Sequence, residues 1–242
     1  SANISLDRNK VTKLYGGVDY ILNGTDRQGN IFIGESLSNI YTYKAGGIAN
    51  ENNRELWENI DFNGRTVGLG DLFALDISGP DGKPDGVVDS YDRYIYGNTD
   101  PKAYGGFSTD ITWKGITLNA VFNYSVGGHR ISSYYEGLIS SVGESYASPD
   151  LLDHWTPDNT NAYFPRVMTG TQNYSKFTAG ETDRYIQNSS YLRLSTLTLA
   201  YNLPQNWLSR IYMKSARVYF TASNLFTVTK YKGFDPEMGD WN

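Results

Sequence analysis

Ile116-Thr117-Leu118-Asn119-Ala120-Val121-Phe122-Asn123-Tyr124-Ser125-Val126 is the stretch on which the fold turns. Ile116, Leu118, Ala120, Phe122, Tyr124 and Val126 share one parity, whereas Thr117, Asn119, Asn123 and Ser125 share the other. Period two of this kind is a strand with one apolar and one polar face. Just upstream, Phe107, Thr109, Ile111 and Trp113 oppose Ser108, Asp110 and Thr112, with only Lys114 and Gly115 between the two runs. That spacing predicts a tight hairpin. Downstream, Val218, Phe220, Ala222, Phe226 and Val228 alternate with Arg217, Tyr219, Thr221, Ser223 and Thr227, and Asn224 alone interrupts the apolar set. The run has about the length that crosses a bilayer obliquely. Between Tyr191 and Tyr201 the parity changes: Leu192 and Leu194 fall on one phase, Leu197, Leu199 and Tyr201 on the other. A bulge near Ser195 and Thr196 would return all five side chains to one face.

The connections alternate in length. Lys114-Gly115 is minimal, residues 127–188 form a long excursion, 203–215 a modest link, and a further excursion begins at Tyr231. Membrane barrels have this rhythm, with short turns on one side and long loops on the other. In the modest link, Pro204 followed by Gln205, Asn206, Trp207, Leu208 and Ile211 predicts a short helical turn. Nearer the start, strands are expected at Val11–Leu14, Val18–Leu22 and Asn39–Tyr43, separated by Gly16-Gly17, Asn23-Gly24 and Gly46-Gly47.

Composition fits this reading. Only 39% of residues are hydrophobic, yet 14% are aromatic, 20 of them Tyr, and there are 25 Gly, as girdled strands with Gly-rich turns require. A formal net charge of -5 supplies no basic stripe, which argues against nucleic acid as a partner. The chain has no cysteine, so disulfides and Cys-ligated zinc are excluded. No apolar run reaches the ~18 residues of a membrane helix, a test to which alternating strands are invisible. Ser1–Lys10 carries no charged start followed by an apolar stretch, so no export signal is read there.

Asp81-Gly82-Lys83-Pro84-Asp85-Gly86-Val87-Val88-Asp89-Ser90-Tyr91-Asp92 overlays a twelve-residue calcium loop. Asp81, Asp85, Asp89 and Asp92 would supply carboxylates, Val87 a backbone carbonyl and Gly86 the sharp turn. Lys83 stands where a ligand belongs, so Asp76 or Ser78 would have to reach in. The competing reading is an acidic surface loop built of Asx turns. No cofactor is required, and calcium is the one candidate ion. Flanking helices for a soluble EF-hand are broken by Gly68, Gly70, Gly79 and Gly97.

Catalytic patterns are scarce. His129 and His154 sit in no metal or nucleophile motif, and Asp150 with Asp153, or Asp235 with Glu237, read as solvated loop charge before a glycosidase pair. Tyr134-Tyr135, Tyr146, Trp155, Tyr163-Phe164 and Tyr174 suit either sugar stacking or loop-core packing.

Taken in order, several motifs resemble the barrel half of SusC/RagA-type TonB-linked outer-membrane proteins of Bacteroidetes. They begin with Gly34-Glu35-Ser36-Leu37, Tyr41-Thr42-Tyr43-Lys44-Ala45-Gly46-Gly47-Ile48 and Gly70-Asp71. Asp85-Gly86-Val87-Val88-Asp89, Asp92-Arg93, Gly97-Asn98, Pro101-Lys102 and Tyr104-Gly105-Gly106-Phe107 follow, then Trp155-Thr156-Pro157-Asp158-Asn159 and Phe164-Pro165-Arg166. The most specific are Asn188-Ser189-Ser190-Tyr191-Leu192-Arg193-Leu194, Asn224-Leu225-Phe226-Thr227 and Gly233-Phe234-Asp235-Pro236-Glu237. The likeness covers nearly the whole chain and is weakest before Gly34. The acidic loop departs from the pattern by an insertion, Gly79 to Pro84.

The resemblance implies an all-β fold: part of a transmembrane antiparallel β-barrel, a wall segment of a plugged barrel of roughly 22 strands with long extracellular loops. On that reading residues 1–242 are a C-terminal portion without the plug domain and the final closing strands, since Asp240-Trp241-Asn242 is no aromatic end. It further implies import of oligosaccharides or peptides, not catalysis, in the outer membrane. The implied partners are the rest of the barrel, a SusD-like lipoprotein, TonB through the N-terminal part, and lipid or lipopolysaccharide. The acidic loop and residues 127–188 would lie outside. The alternative is a soluble extracellular β-sandwich that binds glycans, in which the apolar face packs against a second sheet.

Overall fold

Alternating residues pair into ladders only if their registers agree, and here they do. The computed structural model describes residues 1–24, 26–130, 132–140, 146–168 and 176–237. Tyr174 and Asp240-Trp241-Asn242 lie outside the described residues. One five-stranded antiparallel sheet runs β1 (Ala2–Ser5), β2 (Ala103–Trp113), β3 (Ile116–Val126), β4 (Tyr191–Asn202) and β5 (Arg217–Thr229), each hydrogen-bonded to the next. Trp113 pairs with Ile116 across Lys114 (φ 46°) and Gly115 (φ 85°). Positive φ at both central residues is the mirror-image turn whose twist matches that of the strands.

Register places Ile111 opposite Leu118, Leu118 opposite Leu199, and Leu199 opposite Phe220, one apolar row across four strands. A second row is Phe107, Phe122, Leu194 and Phe226, with the first two rings stacked at 4.7 Å. The opposite face is a polar ladder. Asn119 donates to Asp110 at 2.7 Å, Thr198 and Thr221 share a hydrogen bond of 3.0 Å, and Arg193 Nε donates to Thr227 at 3.1 Å. Cross-strand pairs of these kinds contribute roughly 0.2–1 kcal/mol each.

The expected bulge is present. Leu194 pairs with Phe122 and Thr196 with Val121, so Ser195 is the extra residue on β4. On β5 the step from Phe226 to Ser223 answers the step from Leu194 to Thr196, and Asn224 absorbs the added residue at φ 51°. Asn tolerates that left-handed conformation better than other side chains, which accounts for a polar residue in the apolar series.

The sheet's two ends differ. At the hairpin end the other link is short: Gln205–Leu208 is helical after Pro204, Ser209–Ile211 forms a 3-10 turn, and the Leu203 N–H bonds the Ala216 carbonyl at 3.0 Å. Residues 9–99 and 129–187 leave from the opposite end and belong to a second compact unit. Its core gathers Ile48, Trp57, Leu72, Phe73, Val88, Ile139, Phe164 and Phe177. Asn39–Tyr43 pairs with Arg93–Asn98, and Ala45–Ile48 with Leu72–Ala74. Gly46 faces the buried Phe73 ring so closely that no Cβ would fit.

Two expectations change and one strand is new. Val11–Leu14 forms no strand; Val11 exchanges single backbone bonds with Gly34 and Glu35. Val18–Leu22 shrinks to Tyr20–Ile21, paired with Ile31–Phe32. Ala2–Ser5 forms a strand that went unread. The sandwich alternative finds no second layer of matching size, because each other sheet among the described residues has two strands. Ile111, Leu199, Val218 and Phe220 are 55%, 49%, 63% and 66% exposed, so the apolar face is open. A contiguous apolar surface of this kind marks a membrane or protein contact. Among the described residues no helix is long and apolar enough to cross a membrane.

Candidate functional site

The acidic loop folds around Asp92, whose side chain is fully buried. Its carboxylate accepts from the backbone N–H groups of Ile77 (2.6 Å), Ser78 (3.0 Å) and Asp89 (2.8 Å). Burial pushes this carboxyl above its usual range, against those three donors. Asp89 caps the short 3-10 turn Ser90–Asp92 by accepting from Tyr91, Asp85 accepts from Val87, and the backbone on either side of Val87 pairs with Asp61. Asp81 is exposed and touches only the Lys83 N–H at 3.4 Å. Asp76 is the residue that reaches in: Oδ2 accepts from Gly86 at 2.7 Å, while Oδ1 is buried without a partner among the described residues. Among the described residues no three acidic or histidine side chains converge as a metal group. Asp81, Asp85 and Asp89 each accept from the N–H two residues on, as in Asx turns, whereas Asp76 and Asp92 accept from distant backbone donors that close the loop.

Two other motif segments meet at a buried charge. Asp71 has a fully buried side chain that pairs with Arg166 Nε and with Lys176 Nζ, both at 2.7 Å. Gly70 lies beneath Trp155, where an added Cβ would stand 2.5 Å from the indole. Gly70-Asp71, Trp155 and Arg166 are thus one structural node.

The remaining candidates have structural occupations. His154 Nδ1 lies 2.7 Å from the Leu151 carbonyl, and His129 packs edge-on against Tyr96. Lys232 and the Tyr135 hydroxyl, each 2.6 Å from Asp150, hold that carboxyl below its usual range. Asp153 accepts from Asn159 and from the Tyr163 N–H, and Asp235 from the Glu237 N–H. The aromatics divide. Tyr135 and Phe164 are buried, Tyr134 stacks on Phe234 at 4.1 Å, and Tyr163 lies under Arg184, whereas Tyr146 is open. The sequence reading missed a cleft of about 420 Å³ lined by Arg27, Arg65, Arg93, Tyr41, Tyr43 and Glu181. Only Tyr41, Tyr43 and Arg93 had drawn attention, as motif residues.

An open apolar face backed by a polar ladder, with short links at one end and long excursions at the other, defines a stretch of membrane-barrel wall. Comparison with known proteins gives the kind of barrel. No family model matches the chain. It is 31% identical over 241 residues to TonB-dependent receptor P3 of Formosa agariphila, covering 97% of this chain and 22% of that receptor. It is 28% identical over 245 residues to TonB-dependent receptor SusC of Bacteroides thetaiotaomicron, covering 98% of this chain and 22% of SusC. Among solved structures, the RagAB peptide transporter superposes with a TM-score of 0.73 at 28% identity, covering 99% of this chain and 24% of that one. The chain therefore spans under a quarter of the length of these relatives. The resemblance to SusC/RagA-type TonB-dependent receptors holds over nearly all of it.

Proposed function

We propose that this chain forms wall and loop segments of an outer-membrane importer that takes up oligosaccharides or peptides, driven through TonB and working with a SusD-like lipoprotein. The observation that carries the proposal is the two-faced sheet, with Leu118, Leu199 and Phe220 in one row and Asn119, Thr198 and Thr221 in the other; in the proposed barrel the first row meets hydrocarbon and the second lines a wet interior. The second unit, built from the long excursions, contacts cargo and lid. Relatives called receptors, and a peptide transporter among the structural neighbours, support uptake over turnover.

The chain has no cysteine, so once any cysteine elsewhere in the protein is replaced by serine, single cysteines report on each face. In the intact protein in outer membranes, Leu199→Cys and Phe220→Cys should react with a lipid-soluble maleimide and resist a charged thiosulfonate. Thr198→Cys and Thr221→Cys should show the reverse. Equal labelling of both faces by the charged reagent would remove the membrane from the reading. Cargo is addressed by uptake of labelled oligosaccharides and short peptides into cells with and without the protein, before and after collapse of the proton gradient.

For the acidic loop we propose calcium at Asp85, Val87, Asp89 and Asp92 with Asp76, groups that must draw together on binding, since no three acidic side chains converge among the described residues. Asp76 Oδ1, buried and unpartnered among those residues, supports it. After chelator treatment, added calcium should slow protease cleavage within residues 76–92, and Asp76→Asn should abolish that protection. Cleavage indifferent to calcium returns the loop to plain Asx turns.

A further inference from the structure

The Arg-lined cleft lies within the second unit, and its charges are unevenly met. Arg65 pairs with Glu181. Arg27 commits Nη2 to both oxygens of Glu136, at 3.0 and 3.1 Å, which leaves Nη1 buried with no partner among the described residues. Arg93 forms no ion pair among the described residues. Its donors go to the carbonyls of Gly24 (3.2 Å), Asp26 (2.7 Å) and Tyr41 (2.7 Å), and its guanidinium lies 4.5 Å over the Tyr41 ring. Carbonyls orient a cation without neutralising it. Burial pulls the Arg93 guanidinium below its ordinary value, and Arg27 pushes the same way.

Arg27 lines the cleft and keeps unused N–H groups that a small turn of its side chain would present, and Arg93 in the same cleft is held only by carbonyls; together they can offer parallel donors to a planar anion. Asp26 and Glu181 also line the space, and Glu136 stands behind Arg27, so three cations face three carboxylates. Because Arg65 and Arg27 are met by Glu181 and Glu136 as ion pairs while Arg93 has none among the described residues, the cleft suits one negative charge and disfavours a doubly charged phosphate. A volume of about 420 Å³ falls in the range of small-molecule sites.

We propose that the cleft between Arg27, Arg93 and Tyr41 binds the carboxylate of a small polar ligand, supplied by the end of a short peptide or by an acidic sugar. This deepens the importer reading by naming a recognised group, and it is measured by binding, apart from uptake. Calorimetry on the intact protein in detergent would compare N-acetyl-trialanine with its C-terminal amide, and a galacturonate disaccharide with the neutral galactose disaccharide. At least one acid should bind at least about tenfold more tightly than its neutral counterpart, the loss expected for one charge-assisted hydrogen bond. Preference for the peptide acid or for the uronate identifies the source. No preference in either pair overturns the proposal. Arg27→Gln should remove the preference. Should that variant misfold, Arg27→Lys serves instead, because it keeps the charge and removes the planar pair of donors. If both variants fold and keep full preference, the carboxylate binds elsewhere and the proposal fails.

Discussion

Leu199→Arg is expected to destabilise the intact protein in a bilayer by about 1–2 kcal/mol, the cost of a cation on the lipid face between midplane and interface, since Leu199 lies three residues from the end of β4 at Asn202. Leu199 lies between Leu118 and Phe220 in the middle of the apolar row, and half of its surface is open. The neighbouring Thr198→Arg points to the other face, where it loses the 3.0 Å bond to Thr221 and gains water, so its cost should be about 1 kcal/mol or less. Guanidinium titration of protein folded into phosphatidylcholine vesicles measures both. The order matters more than the size. A soluble sheet would respond to Leu199→Arg with improved solubility and little loss of stability, and that result would remove the hydrocarbon from the explanation.

What the sequence made legible follows from how far each signal extends. Strands of eleven to thirteen residues repeat their parity enough times to be read, and even the phase change in β4 identified its bulge at Ser195. Ala2–Ser5 has only two residues per face, too few to register as alternation, and its partner, residues 104–107, lies about a hundred positions away. Val11–Leu14 fails for a related reason, since its two apolar residues fall on opposite parities and the segment forms no strand. In the acidic loop the motif was read with Asp81 at its head, whereas the insertion turns Asp81 outward and Asp76 folds back onto Gly86. Charge spacing along a chain cannot reveal which side of an insertion closes the loop. The cleft was least legible, because Arg27, Arg65, Arg93 and Glu181 come from four separate segments and no local pattern joins them.

The Gly70-Asp71 pair was legible as a motif but not as a device, and the structure makes its loss severe. Gly70 holds φ 87°, where a side chain costs roughly 1–2 kcal/mol, and a Cβ there would meet the Trp155 indole at 2.5 Å and Arg166 Cβ at 3.1 Å. Overpacking of a fixed aromatic adds roughly 1–3 kcal/mol. Asp71→Ala acts differently, by stranding Lys176, whose side chain is 13% exposed, and by releasing Arg166 and the Gly68 N–H. Removing one partner of a buried pair costs roughly 3–5 kcal/mol, and the 40% exposure of Arg166 places this case near the lower figure. Asp81→Ala, on an exposed residue of the same region, should change stability by no more than about 0.5 kcal/mol. Hydrogen exchange distinguishes the three: amides of the Leu72–Ala74 strand should lose protection in Gly70→Ala and Asp71→Ala while those of β3 and β4 keep theirs. Equal exchange in Asp71→Ala and Asp81→Ala would mean that the buried carboxylate organises nothing, and that the motif joining residues 70, 155 and 166 answers to cargo or lid instead of to folding.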